Sequence, residues 1–482
     1  MDRRRIVTLA ADGTPTTIKD LADDVNFFSV RDSFTVKAPA RKTVMAQQSR
    51  RYGGATAVSE SHENGAIGWK ALVKSTTADN CNLAVEALLG VLESARLDLF
   101  FEWRPDGATS SVFYEVRGPA KWQSEYRQVQ YAGAFSMMVD IEIPVGPLAR
   151  VAPSTQTISS TTFPLHKTDL TAIGGDAPAL CDVSIRASGG SQAPIWALIG
   201  WSKRPSSPLS GSVAPFGIIE AETGTLSTWA AIGTDANFRG SNGVRVTTSG
   251  SGSASAVYPV DPSTMAADQF TRGTVDIEVW ARIELGSGVV SPRLTLSLEP
   301  NAGSSFGASQ YSHEYGSTGK LLIRPGSGTR YRFVRLGTLT MPVDPVTPLK
   351  WNVKVAGTWA TSSSGDFGLD YLVMVPVKQR ACGKTGVAND GTAPKFIAST
   401  SDTTKTIRSD LSGLVGSAAG NQGRDSGLGG SPIELPPGNV DLVVVLSSVV
   451  PDDPTVDTSS MQLSHTSTAG ALVITPRYWL VK

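Results

Sequence analysis

In one long stretch of this chain, apolar residues recur at helical spacing. Nearly everywhere else they alternate with polar ones. In DNCNLAVEALLGVLESAR (79–96), Val85, Leu88, Leu89 and Leu92 stand at i, i+3, i+4 and i+7 behind the capping-type residues Asp79 and Asn80. That spacing predicts the one long helix. Around it the period drops to two. Phe135, Met137, Val139, Ile141 and Ile143 share one face of a strand over 135–143, and Ser136, Asp140 and Glu142 share the other. Residues 66–74, 97–103 and 111–117 read as further strands, with a Pro105-Asp106-Gly107 turn between the last two. A strand–helix–strand unit followed by hairpins predicts an α+β sandwich over residues 1–152, bounded by the polar stretch 152–162.

The rest reads as β. With 48 Gly, 29 Pro and only 18% charged residues, the composition suits many turns and argues against bundles and coiled coils. Residues 217–377 hold eight strand-like segments (243–248, 254–260, 273–283, 293–298, 320–323, 331–341, 351–356 and 369–377), which is the strand number of a jelly roll. A Ser/Pro/Gly connector at 206–216 precedes them and predicts few contacts across it. Strands at 181–187, 194–201, 441–449 and 471–481 are too few on either side to stand alone. Residues 163–210 and 378–482 are therefore expected to form one discontinuous β-sandwich, with a mobile loop at 412–431. The fold class is mainly β: an N-terminal α+β sandwich with one helix, then β-sandwich domains including an eight-strand jelly roll.

Charge is balanced, 43 basic against 43 acidic residues, so neither a globally basic nucleic-acid binder nor an acidic tail is expected. Cys81, Cys181 and Cys382 lie too far apart in sequence for a disulfide framework or thiolate zinc site. His62, His166, His313 and His465 share no metal-ligand spacing, and no nucleophile elbow, P-loop or dinucleotide fingerprint appears in the context it needs. Neither a signal peptide nor a membrane-spanning run is expected. Arg3-Arg4-Arg5 and Arg50-Arg51 read as surface or subunit-contact charges. Trp229, Tyr311, Tyr315 and Trp359 fall in predicted loops, where an aromatic face is placed to stack on a sugar ring.

The stretch SESHENGAIGWKALVKSTTADNCNLAVEALLGVLESARLDLFFEWRPDG, with IEIPVGP after it, resembles the N-terminal ring domain of distal tail proteins from long, non-contractile-tailed phages. GGDAPALCDVSIRA (174–187) is similar to the strand that opens the C-terminal β-domain in minor tail proteins of phages infecting actinobacteria. IEAETGTL (219–226), FVRLGTLTMP (333–342) and LDYLVMVP (369–376) resemble jelly-roll carbohydrate-binding modules. The N-terminal arginines and residues 378–435 have no counterpart in these families.

The resemblance implies a virion tail-tip component rather than an enzyme. Residues 1–152 form a trimeric or hexameric ring under the tail tube, and the outer β-domains meet host glycans or fibres. Tube, tape-measure and hub or fibre proteins are the implied partners, without nucleic-acid specificity or membrane insertion. A wall- or capsule-degrading hydrolase carrying a binding module, and a free-standing adhesin, stand as alternatives. In the resembling modules the first strand lies beside the last. Glu220 and Glu222, on one face of a strand, then meet Asp370, and three such carboxylates call for a structural Ca²⁺.

Overall fold

The computed structural model of the 482-residue chain describes residues 3–10, 13–23, 27–30, 33–37, 41–47, 55–93, 99–125, 135–160, 164–188, 196–265, 273–301, 313–314, 320–322, 330–343, 350–360, 364–384, 395–401, 404–410, 426–427, 429–430, 433–447, 451 and 467–479. Among them the chain is mainly β, with one α-helix and several antiparallel sheets. Contacts divide it into two compact units. Residues 1–154, 174–179 and 475–482 form the first, and 155–173 and 180–474 the second. No helix among the described residues is long and apolar enough to cross a membrane.

The first unit runs β1 (Arg3–Leu9), β2 (Pro15–Asp20), β3 (Phe27–Ser29), β4 (Thr35–Lys37), β5 (Arg41–Gln47), β6 (Ala55–His62), β7 (Gly65–Ser75), α1 (Ala78–Leu92), β8 (Leu99–Arg104), β9 (Val112–Val116), β10 (Lys121–Glu125) and β11 (Phe135–Arg150). The helix is capped by Thr77, whose hydroxyl accepts from the Asn80 N–H at 3.2 Å. Asp79 therefore lies inside the first turn, where its charge meets the positive end of the helix dipole. Cys81, Val85, Leu88 and Leu92 form the buried stripe of α1, and Leu89 is only half-buried against them. They pack on Ile67, Trp69 and Val73 of β7 and on Val139, Ile141 and Ile143 of β11. Each such side chain contributes about 1.5–3 kcal/mol by leaving water.

β11 pairs with β7 from Phe135↔Ser75 to Val145↔Gly65. It then continues past Pro147 to Arg150, beyond its expected end. A register shift between Val145 and Ala149 against β9 takes up the prolines that end most strands. Its last residues, 148–150, meet Trp479, Tyr478 and Arg477. The end of the strand Ser467–Trp479, expected beside the late β-domain, thus belongs to the first unit.

In the second unit the strands used below are β12 (Leu165–Ile173), β13 (Trp196–Lys203), β14 (Gly217–Glu220), β15 (Gly243–Thr248), β16 (Gly252–Val260), β17 (Thr274–Leu285), β18 (Arg293–Pro300), β19 (Arg330–Pro342), β20 (Trp351–Trp359), β21 (Gly365–Pro376), β22 (Arg380–Lys384) and β23 (Gly438–Ser447). One six-stranded sheet orders Ala230–Ile232, β15, β21, β17 and β19, with β14 beside β21. The other orders Thr225–Ser227, β16, β20, β18 and His313–Glu314, with Lys320–Leu321 beside β18. Seven of the eight expected strands are present, and of 320–323 the pair Lys320–Leu321 is strand while 323 lies outside the described residues; β14 and the short strands Thr225–Ser227, Ala230–Ile232 and His313–Glu314 join them. Ile277, Val279, Ala281 and Ile283 of β17 share a core with Leu294, Leu296 and Leu298 of β18 and with Val353 and Val355 of β20.

A third sheet orders β12, β23, β13, β22 and Gly429–Gly430. The expected loop at 412–431 thus contains the short strands Ser426–Gly427 and Gly429–Gly430, and its residues 412–425 lie outside the described residues. The expectation of few contacts across 206–216 fails. Trp196 and Leu198 of β13 and Val443 and Val445 of β23 share one buried cluster with Trp280, Phe333, Tyr371, Val373 and Val375 of the jelly roll. The connector itself is tied down. The Leu209 N–H donates to Asp261 Oδ2 at 3.1 Å, the Val213 N–H to the Pro259 carbonyl at 2.9 Å and Lys350 Nζ to the Ser210 carbonyl at 3.1 Å. Ser, Pro and Gly gave this segment turns without making it a flexible tether.

Candidate functional site: charged and aromatic surfaces

Trp229 and Trp359 do not face solvent. Both are buried in the jelly-roll core and flank Phe367, at ring centroid distances of 5.8 and 5.7 Å. Each indole N–H donates to a backbone carbonyl, Trp229 to Phe367 at 3.1 Å and Trp359 to Gly250 at 2.7 Å. Neither is open to a sugar. Large apolar rings flanked by β-strands gain more from the core than from a loop, and a buried indole needs the acceptor each has found. Tyr311 and Tyr315 lie outside the described residues.

The carboxylate triad also dissolves. Glu220 ends β14, but Glu222 sits in a 3-10 turn over Ala221–Thr223, so strand alternation does not bring the two onto one face. Glu220 pairs with Arg239, and buried Asp370 pairs with buried Arg282 while accepting from the Arg239 N–H at 2.8 Å. Arginines supply the charge for which a Ca²⁺ was expected. Among the described residues no cluster of three His, Cys, Asp or Glu has metal-holding geometry.

These residues belong to a larger network on the outer face of the first six-stranded sheet. On β17 the side chains that alternate with the core are Glu278, Trp280, Arg282 and Glu284, all buried. Glu278 meets Arg335 at 2.9 Å, Arg380 at 2.8 Å and the Trp280 N–H at 2.7 Å. Trp280 stacks on Phe333 at 5.2 Å, and Trp196 covers it at 5.5 Å. Arg282 lies 4.7 Å over the Tyr331 ring and donates to the Asn237 carbonyl at 2.7 Å. Glu284 receives Arg245 Nε at 2.7 Å, and Asp235 pairs with the same guanidinium. The aromatic middle of this face is thus occupied by the third sheet, and the Arg245–Asp235 pair at one end and Arg335 at the other stay half-exposed.

Burial sets the protonation of this network. Desolvation raises the Asp370 carboxyl to about 6 against the opposing pull of Arg282 and Arg239. His166 of β12 lies beneath Gly217, where a Cβ would come within 2.5 Å of its ring, and edge-on to Phe216. Desolvation, and then the Arg239 charge, lower His166 to about 4. The unfolded chain takes up that proton below pH 6.5 and the folded one does not, so stability falls as pH drops from 6.5 towards 4. The loss amounts to about 3 kcal/mol at most. Asp370 acts in the opposite sense, its contribution being present at low pH and lost as pH rises through about 6. In denaturant titrations, the gap in stability between the wild type and His166→Gln should therefore narrow on acidification from pH 7 to 4.5. A constant gap would show that His166 does not titrate as its burial dictates.

In the first unit, Asp140 and Glu142 lie on the outer face of β11 as alternation predicts. Asp140 meets Lys70 at 3.3 Å, and Glu142 pairs with Lys37, which holds its carboxyl below the usual range. Arg50-Arg51, read above as surface or subunit-contact charges, lie outside the described residues. Lys37 ends β4, which pairs with β7 up to Lys37↔Ala66. Beyond it β5 and β6 pair antiparallel from Arg41↔His62 to Gln47↔Ala55. Among the described residues these two strands pair only with each other.

No protein-family model and no curated protein sequence matches the chain. Its neighbours among solved structures include a phage hub adsorption protein and carbohydrate-binding modules. The SPP1 Dit (gp 19.1) protein, titled a paradigm of the hub adsorption apparatus in phages infecting Gram-positive bacteria, is 10% identical with a TM-score of 0.25, over 77% of this chain and 98% of that one. TmCBM61 in complex with β-1,4-galactotriose is 13% identical with a TM-score of 0.17, over 35% of this chain and 92% of that one. The family 11 carbohydrate-binding module from Clostridium thermocellum is 15% identical with a TM-score of 0.16, over 36% and 95%. At TM-scores this low the likenesses fix neither fold nor ligand.

Reading the sequence missed Arg239, Arg245 and Arg282. The signal was present in TVDIEVWARIEL, where Asp276, Glu278, Arg282 and Glu284 alternate with apolar residues, but alternation alone reads as a solvated face. It also missed the hairpin at 41–62, whose signal is Gly53-Gly54 between two strand-like runs.

Proposed function

We propose that this chain is a non-enzymatic structural subunit of a phage tail tip. Its first unit joins copies of itself into a ring under the tail tube, and its second unit faces fibres or host-surface glycans. Tube, tape-measure and hub or fibre proteins are the partners of this reading, and its place is the virion tail. The observation that supports it, beside the sequence resemblance, is the β5–β6 ribbon. An isolated two-stranded hairpin is marginal in water, so this one calls for a neighbour to stabilise it. A contact in which this ribbon meets a different surface of the next copy is head-to-tail, and such contacts form a ring when the rotation between copies closes.

The full chain is therefore expected to elute as a multiple of 50.7 kDa. Replacing residues 41–62 by a short Asn-Gly turn should return it to the mass of one shortened chain, somewhat below 50.7 kDa, with a circular dichroism spectrum that stays that of a folded β protein. A wild type that stays monomeric at all concentrations, or a deletion variant that still assembles, overturns the ring.

A further inference from the structure

The outward face of α1 is acidic. Asp79, Glu86 and Glu93 recur every seven residues on the side opposite the buried stripe, and residues 78–92 hold no base. Among the described residues none of the three has an ion-pair partner, and Glu93 accepts only from the Trp122 N–H at 3.2 Å. Leu83, 61% exposed, stands on the same face with Ala87 and Gly90, whose small size permits close approach. The opposite face of the sheet, formed by the outward side chains of β4, β7, β11 and β10, has a surplus of base. Lys37 and Lys70 are taken up by Glu142 and Asp140. Lys74, opposite Ser136, and Lys121, opposite the already paired Glu142, have no acid within ion-pair distance among the described residues. A cleft of about 480 Å³ lies in this face, with Gly68 in its lining beside Lys37, Lys70, Lys121, Asp140 and Glu142. Half-buried Leu72 and Met138 lie between that cleft and Lys74.

We infer that α1 of one copy lies along β7 and β11 of the next, with Asp79 at Lys74 and Glu93 at Lys121, which names the joint of the ring and rests on the ring reading. The two faces match in length. Asp79 and Glu93 are about 21 Å apart along the helix axis. Lys74 and Lys121 face positions 136 and 142 of β11 from its two sides, which sets them about 22 Å apart. Leu83, about 6 Å along the helix from Asp79, then falls over Leu72 and Met138, the next outward row of the sheet, about 7 Å from Lys74. Ala87 and Gly90 come over the cleft. Both faces belong to the first unit and lie on opposite sides of one sheet, so each copy gives one and receives one, head to tail. The cleft also opens at the foot of the β5–β6 ribbon, since β4 ends at Lys37 just before β5 and β7 starts at Gly65 just after β6.

The test uses the full chain and reads the concentration at which the oligomer half-dissociates. Lys74→Glu with Lys121→Glu, and separately Asp79→Lys with Glu93→Lys, should each raise that concentration at least about tenfold, because like charges then face each other across the joint. The circular dichroism spectrum should stay that of the wild type. Combining all four substitutions exchanges the charges of the two faces and should restore assembly, which no purely structural role of these side chains would do. If the lysine pair can be reversed without weakening the oligomer, or the fourfold variant assembles no better than the two double variants, this joint is wrong. The ring itself survives that result if removing 41–62 still dissociates it. A monomeric wild type removes both.

Discussion

Replacing Trp280 by Ala is expected to destabilise the whole second unit by about 3–5 kcal/mol, the cost of deleting a large side chain from a packed core. Trp280 is 7% exposed and lies in one buried cluster with residues of both the jelly roll and the third sheet. Its loss removes the Phe333 stack and the Trp196 contact together. Hydrogen exchange should then quicken in β13 and β23, which belong to the third sheet, as well as in β17 and β21. Normal protection of β13 and β23 in the variant would show that the two parts unfold separately. For the same reason, excising residues 217–377 behind a short linker should leave the third sheet with a bare apolar face and an aggregating product. The jelly roll is a structural part of its unit and not a detachable module.

Removing Asp370 alone is expected to cost about 3–5 kcal/mol, because it strands the Arg282 guanidinium, 1% exposed, without its counter-charge. Arg282→Met combined with Asp370→Leu should recover most of that loss. The remainder reflects the Asn237 carbonyl and the Arg239 N–H, which lose Arg282 and Asp370 as partners. The measurement is the urea midpoint at constant slope. A double variant no more stable than Asp370→Ala would mean that the pair is worth far more than its desolvation.

The helix, the strand at 135–143 and the longer strands of the jelly roll were legible because each carries its own period. Alternation over 277–283 put Ile277, Val279, Ala281 and Ile283 in the core without any knowledge of what they face. Element ends were less legible. α1 stops at Leu92 and β11 runs on to Arg150, because caps and register shifts depend on partners remote in sequence.

The candidate sites were legible only in part. Local pattern placed Asp140 and Glu142 on the outward face of their strand, and they are there. It left Trp229 and Trp359 open to a sugar and gave Glu220, Glu222 and Asp370 a common cation, and tertiary packing decided otherwise: Trp229 does stand between two short strands and Trp359 ends β20, but both are buried. The sequence by itself determined the periods, and hence the class of fold and the inner face of each sheet. Only the tertiary structure decided what covers the outer faces: β13 and β23 share a buried cluster with Trp280, the arginines of other strands and turns neutralise Asp370 and Glu220, and β5 and β6 pair with no other strand described. The reason is physical. Alternation sorts side chains between two faces of one strand, whereas whether a face meets water, an arginine or a second sheet depends on segments brought together from hundreds of residues away.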